Sequence, residues 1–135
     1  MATQEEITAF LAKEFPQARC VVDDVGARRA TVSLEVGVAD LRPGGTVAGP
    51  VLMEVADMAL YIALLGEIGI VPLAVTTSLT INFLRKPTAG KRIVGECKLL
   101  KVGKSLVIGE VSIYSDGTTE PVAHAVGTYS IPPRP

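Results

Sequence analysis

Two carboxylates and a phenol fall on one narrow stripe of an otherwise apolar run. Residues 51–71 read VLMEVADMALYIALLGEIGIV, and in it Glu54, Asp57 and Tyr61 recur at i, i+3 and i+7, the spacing that gathers side chains on one face of a helix. The other faces are apolar. Val51, Val55, Met58, Ile62 and Leu65 make one stripe and Leu52, Ala56, Ala59 and Ala63 the next, the pattern of a helix buried on several sides. Holding an ionised carboxylate in such surroundings costs several kcal/mol unless it is paired or hydrogen-bonded. Two explanations stand open. The acids face a water-filled cleft or cap a loop N–H, as structure alone; or one is a carboxylate placed by partial burial to act as base or nucleophile. Asp57 sits mid-helix, and Glu54, one turn earlier, is a second candidate acid.

Other reactive groups are few. The 135 residues include one histidine, His124, two cysteines, Cys20 and Cys97, and no tryptophan. A structural zinc site takes about four Cys or His ligands, so no metal is expected. The cysteines lie too far apart for a disulfide scaffold and in no activating motif, so they read as inert thiols of a reducing compartment. His124, in the last strand, reads as a packed or exposed side chain. Gly103-Lys104-Ser105 resembles the end of a phosphate loop, but Lys98 stands where that loop needs glycine and a strand follows. Gly-x-Ser-x-Gly is absent, so no serine-hydrolase elbow is present.

The length suits one domain, taken as 1–135, with its own core. Thirteen basic residues balance fourteen acids, which argues against a general nucleic-acid binder. The N-terminus, MATQEEITAF, lacks the basic and apolar regions of a signal peptide, so a cytoplasmic location is expected. Residues 51–71 have the length of a membrane span, but Glu54, Asp57 and Glu67 would be costly in lipid, and no membrane role is expected.

The elements follow from periodicity. Residues 3–14 put Ile7, Phe10 and Leu11 on one helix face, and Phe15-Pro16 closes that N-terminal segment, 1–16. Residues 30–36 alternate as a half-buried strand, with Val32, Leu34 and Val36 to one side. A loop rich in turn formers, 41–45, leads to a central helix over 49–69. Pro50 suits its first turn, and Gly66 or Gly69 with Pro72 ends it. Strands are predicted over 74–84, 92–100, 105–114 and 121–131, with turns at 87–90, 101–104 and 115–117. Tight turns imply antiparallel neighbours. The one long helix is the only cover for the sheet's apolar face. The fold class is therefore α+β: an antiparallel sheet wrapped around a long central helix.

The run Gly45-Thr46-Val47-Ala48-Gly49-Pro50-Val51-Leu52-Met53-Glu54-Val55-Ala56-Asp57-Met58-Ala59 resembles the hallmark of hotdog-fold acyl-CoA thioesterases of the phenylacetate-degradation type, in which a loop ending His-Gly-Gly leads into a helix with an Ala-Asp step. Thr76 to Pro87 resembles the family's strand after the helix, and Val102-Gly103-Lys104-Ser105 its turn before the fourth strand; the likeness spans about 28–131. The resemblance implies the hotdog fold, a homodimer often paired into a tetramer, and active sites at the dimer interface. It implies that Asp57 activates water or attacks the thioester carbonyl, that the Gly49 N–H polarises that carbonyl, and that Thr77, from the other subunit, helps hold the water. A helix N-terminus suits that second role, because its free N–H groups and positive dipole end face a developing oxyanion. Three positions depart from the pattern: Ala48 for the histidine, Pro50 for the second glycine, and Arg42 for an asparagine.

The implied substrate is a coenzyme A thioester, with no cofactor. Its pocket takes in Arg42, Ala48, Pro50, Tyr61, Asn82 and Phe83. Residues 85–104 hold seven basic residues against Glu96 alone. Such a segment is either a solvated strand edge or a dock for coenzyme A phosphates, with Arg85, Lys86, Gly103 and Lys104 foremost. The expected activity is acyl-CoA hydrolysis. The alternatives are an acyl-CoA-binding module without turnover and, ranked lower, a hotdog dehydratase or hydratase.

Overall fold

The computed structural model describes residues 1–133; the last two positions of the expected domain, Arg134 and Pro135, lie outside the described residues. Helix α1 (Gln4–Glu14) starts at a capping box, in which Thr3 Oγ1 accepts from the Glu6 N–H and the Glu6 carboxylate accepts from the Thr3 N–H. Strands β1 (Val21–Gly26) and β2 (Arg29–Leu34) follow, then a 3-10 turn (Val38–Asp40) and helix α2 (Gly49–Ile68). Strands β3 (Val75–Phe83), β4 (Ile93–Val102), β5 (Leu106–Ser115) and β6 (Ala123–Ser130) complete the fold. The six strands form one antiparallel sheet in the order β1-β2-β4-β5-β6-β3. Curled around α2, it is the hotdog arrangement the sequence implied.

Alternation decides which residues meet α2. Ala30, Val32 and Leu34 of β2 are buried against it, as are Ile93, Cys97 and Leu99 of β4, Val107, Val111 and Ile113 of β5, and Ala123, Ala125 and Tyr129 of β6. The helix lies very close over β5 and β6. A Cβ on Gly127 would meet Leu60 Cδ1 at 2.5 Å, and one on Gly109 would meet Leu60 Cδ2 at 2.7 Å. Gly69, at φ 97°, ends the helix. No helix among the described residues is long and apolar enough to cross a membrane.

Two expectations are corrected. The single strand predicted at 30–36 is the second arm of a hairpin and stops at Leu34; its partner β1 was not foreseen. Asp23 and Asp24 break the apolar alternation of β1 because a bulge between Val22 and Asp24 shifts its register. The hairpin turns at Ala27-Arg28, with Arg28 left-handed at φ 55°. The turn at 87–90 does not join adjacent strands either. β3 lies at the sheet edge beside β6, and the chain crosses from there to place β4 between β2 and β5.

Candidate active site

Asp57 emerges from the middle of α2, half-buried, and its Oδ1 receives two hydroxyl donors. Thr76 Oγ1 donates at 2.6 Å and the Tyr129 hydroxyl at 2.8 Å; the latter also reaches the Asp57 carbonyl at 3.2 Å. Thr76 and Tyr129 are register partners across β3 and β6. A bulge between Thr76 and Ser78 makes Thr77 the extra residue, so Thr76 shares the helix-facing side with Leu79, Ile81 and Phe83. Burial, reinforced by the Asp57 charge, pushes the Tyr129 phenol up from its ordinary range, so it is a protonated donor at neutral pH. Its ring stacks on Tyr61 at 5.9 Å, and Tyr61 in turn lies 6.5 Å from Phe10. The Tyr61 hydroxyl donates to the Pro72 carbonyl at 3.3 Å. These groups, with Phe15 and Met58, line a cleft of about 430 Å³ open to Asp57.

A second cleft, of about 650 Å³, opens at the start of α2. The Ala48 N–H donates to the Asp40 carbonyl at 2.8 Å and the Val51 N–H to the Ala48 carbonyl at 3.0 Å. Pro50 has no N–H, and the Gly49 N–H has no hydrogen-bond partner among the described residues. The Phe83 ring lies over Gly49, with Arg42, Leu52, Arg85 and Lys86 around them. Arg85 is engaged by Glu120 at 3.7 Å and donates to the Pro121 carbonyl.

Glu54 has a partner of its own. Arg19 donates from Nη2 to Glu54 Oε1 at 2.8 Å, from Nε to Oε2 at 3.2 Å, and from Nη1 to Asp40 Oδ1 at 2.9 Å. The Gly37 N–H, first, and then Arg19 hold the Asp40 carboxyl below the usual carboxylate range. This clamp ties the segment before β1 to the 3-10 turn and to α2. It fixes Asp40, whose carbonyl holds the residue before Gly49.

The predicted site residues thus divide. Asp57 and Tyr61 meet in the first cleft. Gly49, Arg42, Phe83, Arg85 and Lys86 meet in the second, with Ala48 and Pro50 flanking Gly49. Gly103 and Lys104 sit at the other end of the molecule, beside Ile68 and Ile131. The basic residues of 85–104 therefore do not form one dock within the chain. Asn82 pairs with His124 on the face of the sheet away from α2, where His124 Nε2 lies 2.9 Å from Glu110. Thr77 is exposed, its hydroxyl donating to the Thr128 carbonyl at 3.3 Å. Thr76, Tyr129, Arg19 and Asp40 were not singled out from the sequence. Tyr129 did leave a trace: it is the one phenol on the inward row of Ala123, Ala125 and Gly127, and a buried hydroxyl needs a partner. No cluster of three or more metal-ligating side chains occurs among the described residues.

The family described as the thioesterase superfamily matches residues 44–122. This chain belongs to the thioesterase superfamily. The match contains the start of α2, Asp57 and all of β3. Among solved structures, a candidate thioesterase of Silicibacter sp. TM1040 is 38% identical, covering 97% of this chain and 92% of its own, with a TM-score of 0.89. Two more distant structures show the shared fold. Zebra fish thioesterase superfamily member 2 is 16% identical, covering 98% and 100%, with a TM-score of 0.84. The E. coli PaaI protein of the phenylacetic acid degradation operon is 21% identical, covering 94% and 97%, with a TM-score of 0.76. No curated protein matches. The chemistry that goes with the superfamily is thioester hydrolysis.

Proposed function

We propose that this protein hydrolyses acyl-CoA thioesters as a homodimer whose active sites each combine Asp57 of one copy with Gly49 of the other. The carrying observation is that the two groups occupy separate clefts on one helix. Gly49 and Asp57 are eight positions apart, about 12 Å along the axis. One thioester carbonyl cannot meet both within a single chain. Strand β3 supports a way to unite them. It is an open sheet edge, with Thr76 against Asp57 near its start and Phe83 against Gly49 at its end. Antiparallel pairing of β3 with a second copy, about a two-fold axis near Leu79, sets the Thr76 end of one strand beside the Phe83 end of the other. Both half-sites face the helix side of the sheet, so the two clefts join across the axis. The large apolar side chains exposed on and beside this edge, Val75, Phe83 and Leu84, fit burial in such an interface.

In this reading the Gly49 N–H donates to the carbonyl oxygen, where an oriented backbone donor at a helix N-terminus stabilises the oxyanion. Asp57 either takes a proton from water as that water attacks the carbonyl carbon, or attacks the carbon itself to give, once the thiolate has left, an acyl-aspartyl anhydride that water then hydrolyses to the free acid and Asp57. The tetrahedral intermediate collapses, the C–S bond breaks, and coenzyme A leaves as a thiolate that acquires a proton. Arg42 and Lys86 lie where phosphates entering the Gly49 cleft would pass, and guanidinium and ammonium groups suit them. The test is thiol release over a panel of acyl-CoA species by the wild type and Asp57→Asn, with binding followed by calorimetry. Wild-type turnover that Asp57→Asn abolishes is the expected result. Binding without turnover by the wild type would identify a binding module instead.

A further inference from the structure

We propose that Tyr129 and Thr76 are positioning residues that pin Asp57 through Oδ1 and leave Oδ2 as the reacting oxygen. This inference rests on the thioesterase reading above. A carboxylate has two oxygens, each able to accept about two hydrogen bonds. Here both donors converge on the same one, at 2.6 and 2.8 Å. Oδ2 has no hydrogen-bond partner among the described residues, on a side chain that lines the 430 Å³ cleft.

The choice of donors sets Asp57 apart from its neighbours. Glu54, Asp40 and Glu67 each face an arginine. Asp57 is held by neutral hydroxyls alone, which fix its direction without neutralising its charge. An arginine there would hold the acid as firmly but would screen the negative charge that a base or nucleophile uses. The backbone is arranged for the same result. The bulge at Thr77 turns Thr76 inward from an exposed edge strand, and bulges recur where a side chain has to be re-aimed. The Tyr129 ring is buried and stacked on Tyr61, so its hydroxyl approaches from a fixed direction.

The test compares Tyr129→Phe, Thr76→Val, the double substitution and Thr76→Ser in the full chain, alongside Asp57→Asn, by steady-state thiol release and thermal midpoint. Each single loss is expected to lower kcat about tenfold or more, and the pair about 100-fold, as befits hydrogen bonds to a charged group, with KM moving less than about twofold and Thr76→Ser restoring most of the rate. A wild-type kcat in both Tyr129→Phe and Thr76→Val, on a wild type that Asp57→Asn inactivates, overturns the positioning role and leaves the thioesterase reading standing. A fall in the thermal midpoint with kcat unchanged overturns that role equally. A wild type without turnover on any acyl-CoA overturns both.

Discussion

The Phe83 ring lies over Gly49 with its Cζ 3.3 Å from the place a side chain would begin. The first N–H of α2 is thus framed by an aromatic ring from the edge strand, and its cleft is shaped by that ring rather than by the absent histidine at position 48. Two substitutions separate space from hydrogen bonding. Gly49→Ala adds a methyl group 3.3 Å from the Phe83 Cζ, which the ring can accommodate by a shift of a few tenths of an ångström, and it keeps the N–H. Gly49→Pro deletes the N–H, and because it stands before Pro50, where the preceding residue resists helical geometry, it is expected to cost the helix start some stability as well. We expect kcat to fall by about 100-fold or more in Gly49→Pro, the usual cost of losing an oxyanion donor, and by about tenfold or less in Gly49→Ala, with the thermal midpoint near the wild type in Gly49→Ala and lower in Gly49→Pro.

Shared sites have a second signature. If the sites are shared as proposed, Asp57→Asn and Gly49→Pro copies are each expected to have little activity alone. A mixed dimer places both defects in one site and leaves the other intact. Refolding equal amounts together is expected to recover about a quarter of wild-type activity, since half of the dimers are mixed and one of their two sites works. No recovery, with mixed dimers verified by mass, would mean each site is built from one chain.

The clamp around Arg19 makes stability depend on acid. The Asp40 carboxyl is held below its ordinary range by the Gly37 N–H and Arg19, so its folded value lies below its unfolded one. Its contribution is present at neutral pH and is lost as pH falls below the usual carboxylate range towards the depressed value. The thermal midpoint of Asp40→Asn should therefore be lower than the wild type at pH 7 and converge with it on acidification. Arg19→Ala should cost about 1 kcal/mol or less at pH 7, since Asp40 keeps the Gly37 N–H and Arg19 is 43% exposed, read by urea unfolding.

Cys20 and Cys97 are buried, and burial first, with nearby Glu54 and Glu110 second, pushes each thiol up to about 12. The reactive thiolate is scarce at pH 8. Iodoacetamide should leave the native protein unmodified at that pH and label both residues in urea, as intact mass will show.

The central helix, its acids and five of the six strands were legible because their periodicities are strong and their boundaries carry Gly or Pro. β1 was not, because a bulge at Asp23 scrambles its alternation, and a bulge is set by register with a partner strand rather than by local sequence. The same cause hid Thr76: with a regular strand, Thr77 would share the inward row with Leu79 and Ile81. Arg19 and Asp40 were invisible for a different reason. They lie 21 positions apart in segments without periodicity, and only the folded sheet brings them to Glu54. The basic residues of 85–104 misled in the opposite sense, since neighbours in sequence at the two ends of a crossing connection and a strand are carried to opposite ends of the molecule.

The two edges of the sheet are unequal. β1 bears Asp23 and Asp24 on a bulged, twisted strand, with Arg29 reaching across to Asp24 at 2.7 Å. Charge and bulging both repel strand addition. β3 has neither defect over Ser78–Phe83, which pairs with β6 in unbroken register. Growth of this sheet by edge pairing therefore has a single direction, and two copies that meet along β3 exhaust it. In the proposed dimer, the same asymmetry would join two half-sites and leave only the charged, bulged β1 edges open, which resist further strand addition.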